Sequence, residues 1–171
     1  MEDFNEAMFK TKVDNVFVKL YTAFMKGDLG EVKHFISDDV YLEFKEKLDK
    51  LNDKNQRQIY DELNVKNTKI IDKIINNNKE VITVELISRY MDYIIDKTSY
   101  KLLSGDNTRR VEKTNTLVFE KKLDTKEKKL VRKCPGCGAS ISVNTNGKCE
   151  YCDTIYNLED YDYILVSIKT N

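Results

Sequence analysis

Apolar side chains recur every three or four positions from the start of the chain. Phe9, Val13, Val16, Phe17, Leu20, Tyr21 and Phe24 form one stripe, which predicts an amphipathic helix. Gly27-Asp28 marks its end. Leu29, Val32, Phe35 and Ile36 predict a short second helix. Ser37-Asp38-Asp39 offers side-chain oxygens to the free N–H groups of a third, which carries Tyr41, Phe44, Leu48 and Leu51. Ile59 and Leu63 follow the polar stretch LNDKNQRQ and extend the helical region to residue 63.

From Val65 the pattern turns toward strands. Paired isoleucines in KIIDKIINNN lead into an asparagine turn at 76–78. VITVELISRYMDYIID then predicts a long strand. One face carries Ile82, Val84, Leu86, Ser88, Tyr90 and Asp92, and the other Thr83, Glu85, Ile87, Arg89, Met91 and Tyr93. The first face is apolar at its start and polar at its end, which predicts a curved sheet that packs helices at one end and lines a cleft at the other. Ser104-Gly105-Asp106-Asn107 predicts a turn, 109–122 a strand, and YDYILVSIKTN a closing strand. Helices followed by an antiparallel meander predict an α+β fold.

The four cysteines add a separate element. Cys134, Cys137, Cys149 and Cys152 are the only cysteines and form C-x2-C-x11-C-x2-C. Two intervening residues let one tight turn aim two sulfurs at a shared point, and four thiolates complete a tetrahedral zinc site. Between the pairs Ala139, Ile141 and Val143 alternate with polar residues, and Asn146-Gly147 signals a turn. This predicts a zinc ribbon holding one structural Zn2+, inserted before the last strand. Four thiolates leave no position for a reacting water. Two disulfides are the competing reading, disfavoured in a cytosolic chain; a redox Cys-x-x-Cys needs one pair in a βαβ context. The domain expectation is a main domain over 1–131, the ribbon over 132–158 and the last strand of the main domain over 159–171.

Composition restricts the function classes. The chain has 171 residues, 40% hydrophobic and 34% charged, with 29 basic and 29 acidic side chains. Zero net charge means no global field toward nucleic acid or anionic membrane. The start, MEDFNEAMFK, lacks a signal-peptide pattern, and no apolar run approaches the roughly 20 residues that span a bilayer. The expected location is cytoplasmic, with any membrane association through a partner.

Several segments together resemble the C-terminal domain of the mitochondrial import-motor tether, the forty-four-kilodalton subunit of the inner-membrane translocase, and its bacterial relatives. They are FNEAMF at 4–9, AFMKGDLGEVKHFISDDVYLEF at 23–44, VITVELISRYMDYIID at 81–96 with Asp92 and Asp96, LLSGD at 102–106 and YILVSI at 163–168. Phe119 and Tyr163 stand near positions where that family often has tryptophan. The resemblance implies the cone-shaped sheet and helices of the nuclear-transport-factor-two-like superfamily. It also implies a role in membrane-associated protein handling, and some bacterial relatives carry zinc ribbons.

The candidate chemistry is sparse. Tyr90, Asp92 and Tyr100 form the candidate pocket, because a carboxylate among phenols in a cleft can have a raised pKa. His34, the one histidine, sits beside Phe35 and reads as a surface or packing residue. No phosphate loop or nucleophile elbow occurs. The expectation is therefore a non-catalytic module that binds a protein partner or a small apolar ligand. The alternative is a small-molecule or enzymatic cone using Asp92. Lys121–Lys133 holds seven basic and two acidic residues beside the ribbon and raises nucleic-acid contact as a further alternative. It lacks interleaved aromatics for base stacking, so nucleic acid is not the expected partner and membrane contact is at most peripheral. Protein purified without chelator should hold one zinc per chain by atomic absorption. Chelation should increase protease cleavage within 132–158 and leave the rest intact, and zinc-free protein would remove the ribbon.

Overall fold

The computed structural model describes residues 4–123, 131–133, 140–142 and 162–171. Helix α1 spans Glu6–Lys26 and α2 spans Asp38–Asp53, joined through a single 3-10 turn at Lys33–Phe35. Both helices start on a side-chain cap. Asn5 accepts from the Met8 N–H at 3.0 Å, and Ser37 from the Val40 N–H at 3.2 Å. Asp38 and Asp39 add negative charge at the positive end of α2. Gly27 ends α1 at φ 78°, a left-handed conformation that glycine adopts without steric cost.

The sheet contains β1 (Gln56–Asn76), β2 (Lys79–Asp96), β3 (Leu102–Gly105), β4 (Val111–Lys122) and β7 (Ile164–Thr170). Its order is β1-β2-β4-β7, with β3 beside β2, and every pairing is antiparallel. Asn77 and Asn78, at φ 48° and 62°, close the β1–β2 hairpin with the paired left-handed residues of a type I′ turn. The two helices pack on one face of this curved sheet. Register shifts at Asp61/Asn64, Val65/Asn67 and Ile70/Asp72 put bulges along β1, and bulges bend a strand and sharpen its twist. The same bulges, with Lys66, Lys69 and Lys73, protect a long edge strand from pairing with another chain.

The core is the α1 stripe against the middle of the sheet. Val13, Phe17 and Leu20 are fully buried, as are Ile82, Val84, Leu86, Leu117, Phe119 and Leu165. Phe9 stacks edge-on against Phe119 and Tyr163, with centroids 5.7 and 4.9 Å apart. The segment between the helices is tied to the last strand: Ile36 bridges Leu165, and the Ser37 N–H donates to the Leu165 carbonyl at 2.8 Å.

β4 and β7 are hydrogen-bonded neighbours, with Glu120 opposite Ile164. The intervening chain therefore leaves and re-enters the sheet at adjacent positions. Within it, β5 (Val131–Lys133) and β6 (Ser140–Ser142) form a separate two-stranded hairpin, Lys133 opposite Ser140. All four cysteines, and most of the ribbon expected over 132–158, lie outside the described residues.

Three expectations need correction. The helical region does not reach residue 63. Asn55, at φ 56°, ends α2, and Gln56 already pairs with Asp96. Ile59 and Leu63 share a helical spacing, but hydrogen bonding to β2 places both in a strand, because tertiary pairing overrides weak local preference. The second helix shrinks to one 3-10 turn. Ser104-Gly105 belongs to β3 rather than to a turn; the turn begins at Asp106, whose carboxylate accepts from the Thr108 N–H at 2.7 Å. At Gly105 a Cβ would overlap the Asp92 carbonyl oxygen, so glycine here permits the close β2–β3 approach.

Phe119→Ala should destabilise the protein by about 3–5 kcal/mol through cavity formation at the sheet centre. Urea denaturation checks this, and a loss below about 1 kcal/mol would mean that the site collapses freely around the missing ring.

Candidate functional site

The three candidate pocket residues do not share one site. Tyr90 is buried in an aromatic cluster that the sequence reading had not assembled. Its ring lies 5.1 Å from Tyr60 and 6.1 Å from Tyr21, and Tyr21 and Tyr60 are 4.5 Å apart. Phe17, Phe24 and Phe44 extend the cluster. Tyr21 was visible in the helical stripe. Tyr60 was hidden because its segment reads as helix, and only its pairing opposite Asp92 turns it toward the others.

Asp92 is half-buried at the edge of this cluster. Its Oδ1 accepts from Gln58 Nε2 at 2.7 Å, while the same amide donates to the Ile59 and Tyr93 carbonyls at 2.9 and 3.1 Å. Gln58 thus positions the carboxylate from the neighbouring strand. Burial is the main cause that pushes the Tyr60 and Tyr90 phenols well above the ordinary tyrosine range, and the negative charge of Asp92 adds to it. The Tyr21 phenol is raised by burial as well. These groups are neutral at physiological pH and form a wall rather than a titrating pair.

Tyr100 lies elsewhere. It is 73% exposed, at φ 62°, in the turn after β2. The Asp96 carboxylate shapes that turn, accepting from the Thr98 and Ser99 N–H groups at 2.9 Å each. Those bonds, Ser99 first, hold its pKa below the usual carboxylate value. The Lys97 N–H donates to the Asn55 carbonyl at 2.9 Å, which joins the turn to the end of α2.

Tyr100 helps to line a cleft where both helices end over the last residues of β2 and the first of β1. One part, about 270 Å³, is lined by Phe24, Met25, Leu48, Arg57, Ile95 and Tyr100 among others. The adjoining part, about 310 Å³, includes Lys50, Leu51, Lys54 and Ile94. Phe24, Gln56 and Gln58 belong to both, so the two parts adjoin. Arg57 stiffens the wall by donating through Nε to the Met25 carbonyl at 2.7 Å. The cleft mixes apolar side chains, such as Phe24, Leu48 and Leu51, with polar ones. Tyr90 and Asp92 do not line it. Its polar side chains are amides, lysines, an arginine and the Tyr100 phenol, a set that supplies hydrogen-bond donors and positive charge.

This arrangement, two helices on a curved antiparallel sheet with an open end, accompanies a direct sequence match. The profile of the Tim44-like domain matches residues 1–130. The chain belongs to the Tim44-like domain family. A search of curated proteins found no match. The α+β architecture of this Tim44-like domain is consistent with a nuclear-transport-factor-two-like fold. His34 sits half-buried in the 3-10 turn of the domain, away from the cleft lining. Among the described residues no group of His, Cys, Asp or Glu side chains is arranged to hold a metal. No described helix is long and apolar enough to cross a membrane.

The raised tyrosines set the alkaline behaviour. Their folded pKa values lie above the unfolded value of about 10. The stability they contribute is complete below about pH 10 and declines as pH rises past it, because only the unfolded chain can release those protons there. Urea denaturation across that range should show a shallower decline in Tyr60→Phe than in the wild type. Identical slopes would mean that Tyr60 ionises as readily folded as unfolded.

Proposed function

We propose that this Tim44-like domain is a non-catalytic docking module for a partner protein in membrane-associated protein handling, and that the partner seats in the cleft at the open end of the sheet. The observation that carries this reading is the cleft itself. Phe24, Leu48, Leu51 and Ile94 line it beside hydrogen-bonding groups, the composition expected of a recognition site. The hydrogen bond from Gln58 to Asp92 and the location of that carboxylate outside the cleft support a structural role for Asp92 over a catalytic one.

The proposal extends to the cysteines. Cys134, Cys137, Cys149 and Cys152 hold one structural zinc in a ribbon between β4 and β7. Two facts favour it: the doubled Cys-x2-Cys spacing, and a β5–β6 hairpin whose last pair, Lys133 and Ser140, brackets the segment containing Cys134 and Cys137. The ribbon is a rigid appended surface on the main domain. The protein works in the cytoplasm and reaches the membrane through its partner.

Crosslinking of tagged protein in its native cells, followed by identification of the captured species, tests the docking reading. Leu51→Ser should reduce recovery of a defined partner by roughly tenfold, as expected for loss of one anchoring apolar side chain at an interface. Undiminished recovery would move the interface off the cleft. In parallel, Cys149→Ser/Cys152→Ser should release zinc and leave the helical circular dichroism unchanged. Zinc retained by that double variant would refute the four-thiolate site.

A further inference from the structure

The cleft sets cationic side chains beside apolar ones. Lys26, Arg57 and Lys97 line one part, and Lys47, Lys50 and Lys54 line the other. No carboxylate lines either part. Among the described residues only Lys47 of these six forms an ion pair, with Glu43 at 3.6 Å, and its ammonium also sits 5.1 Å from the centre of the Phe44 ring. Arg57 and Lys97 each donate to a neutral oxygen, the Met25 carbonyl and the Asn52 side-chain amide.

Elsewhere on the surface several cations are matched. Lys10 pairs with Glu6, Lys45 with Asp49, Lys66 with Glu112, Lys73 with Glu80 and Lys79 with Glu120. The whole chain has equal numbers of basic and acidic side chains, so the rim is a local departure rather than a reflection of net charge. Helix ends account for part of it. The C-termini of α1 and α2 both reach the cleft, and each carries about half a negative charge. Together they offset roughly one of the five remaining cations. Lys26, Lys50 and Lys54 form no ion pair among the described residues and border apolar side chains that a ligand would cover.

We infer that the cleft docks a segment of a partner protein that is both acidic and apolar, with carboxylates on the lysine–arginine rim and apolar side chains on Phe24, Leu51 and Ile94. This rests on the docking reading above and adds the chemistry of the partner. The distribution of charge favours a peptide over a single small anion. The cations border both adjoining parts, so an occupant that spans them must present several negative groups along its length. Charge complementarity of this kind sets partner choice and association rate.

The test uses the full chain and fluorescence anisotropy. The probes are a short labelled peptide alternating glutamate with leucine and phenylalanine, its glutamine-for-glutamate counterpart, and a lysine-for-glutamate counterpart. The acidic peptide should bind most tightly, and its affinity should fall steeply between low salt and about 0.5 M NaCl as the rim charges are screened. Lys50→Glu/Lys54→Glu changes two exposed side chains outside the core and should weaken that binding roughly tenfold or more. Lys113→Glu/Lys169→Glu, with the same change in net charge away from the cleft, should alter it by less than about twofold. Circular dichroism confirms that both variants fold.

Equal affinity for the acidic and glutamine peptides overturns the proposal, as does equal weakening by the two double variants. Binding to phosphatidylglycerol vesicles in place of the acidic peptide assigns the rim to a lipid surface and also overturns it. If the acidic peptide fails to bind while Leu51→Ser still loses its captured partner, docking at the cleft stands and the acidic chemistry falls.

Discussion

Burial of one helical stripe against the middle of one sheet is the constraint on which this fold depends. Val13, Phe17 and Leu20 of α1 can leave water together only on a surface as wide as that offered by Ile82, Val84, Leu86, Leu117 and Phe119. Each large apolar side chain so buried contributes about 1.5–3 kcal/mol. Once α1 is seated, its end is fixed. Gly27 must turn the chain at one end of the sheet, and the bridge from Ile36 to Leu165 fixes where α2 begins. The length of α2 then carries Leu48 and Leu51 back to the place where α1 stopped. The cleft is the space left where two helices of fixed length end over a sheet that continues beyond them.

Curvature decides what faces that space. The bulges in β1 and the close approach of β3 at Gly105 bend the sheet around the helices. Tyr21, Tyr60 and Tyr90 meet inside the bend, where burial keeps their phenols protonated. Asp92 sits at the boundary of that cluster, held by Gln58 from the adjacent strand. Asp92 thus accepts a hydrogen bond from the neighbouring strand at the edge of an aromatic wall.

The insertion between β4 and β7 obeys a simpler rule. Glu120 and Ile164 are paired neighbours, so the chain that joins them begins and ends at almost one point. A segment closing on itself there leaves the ladder between β4 and β7 intact, whatever its length, because extra loop length costs little closure entropy. This is why the long segment that contains the four cysteines can be accommodated between two paired strands.

Much of this was legible from residue order alone. The α1 stripe, the Ser37 cap, the Asn77-Asn78 turn and the inward face of β2 follow from local rules: periods near 3.6 and 2, short polar caps, and residues that tolerate positive φ. The doubled Cys-x2-Cys spacing is equally local, since it concerns the reach of side chains across one turn. The start of β1 was not legible, because Gln56 to Leu63 becomes a strand only by pairing with β2, and no local signal in QRQIYDEL outweighs its helical spacing. Nor was the cleft. Phe24, Leu51, Arg57, Ile94 and Tyr100 come from five separate segments, and only the ends of packed elements bring them together. Local periodicity determined which side chains leave water; the juxtaposition of distant elements, set by helix length and sheet curvature, decided which ones remain at a shared surface.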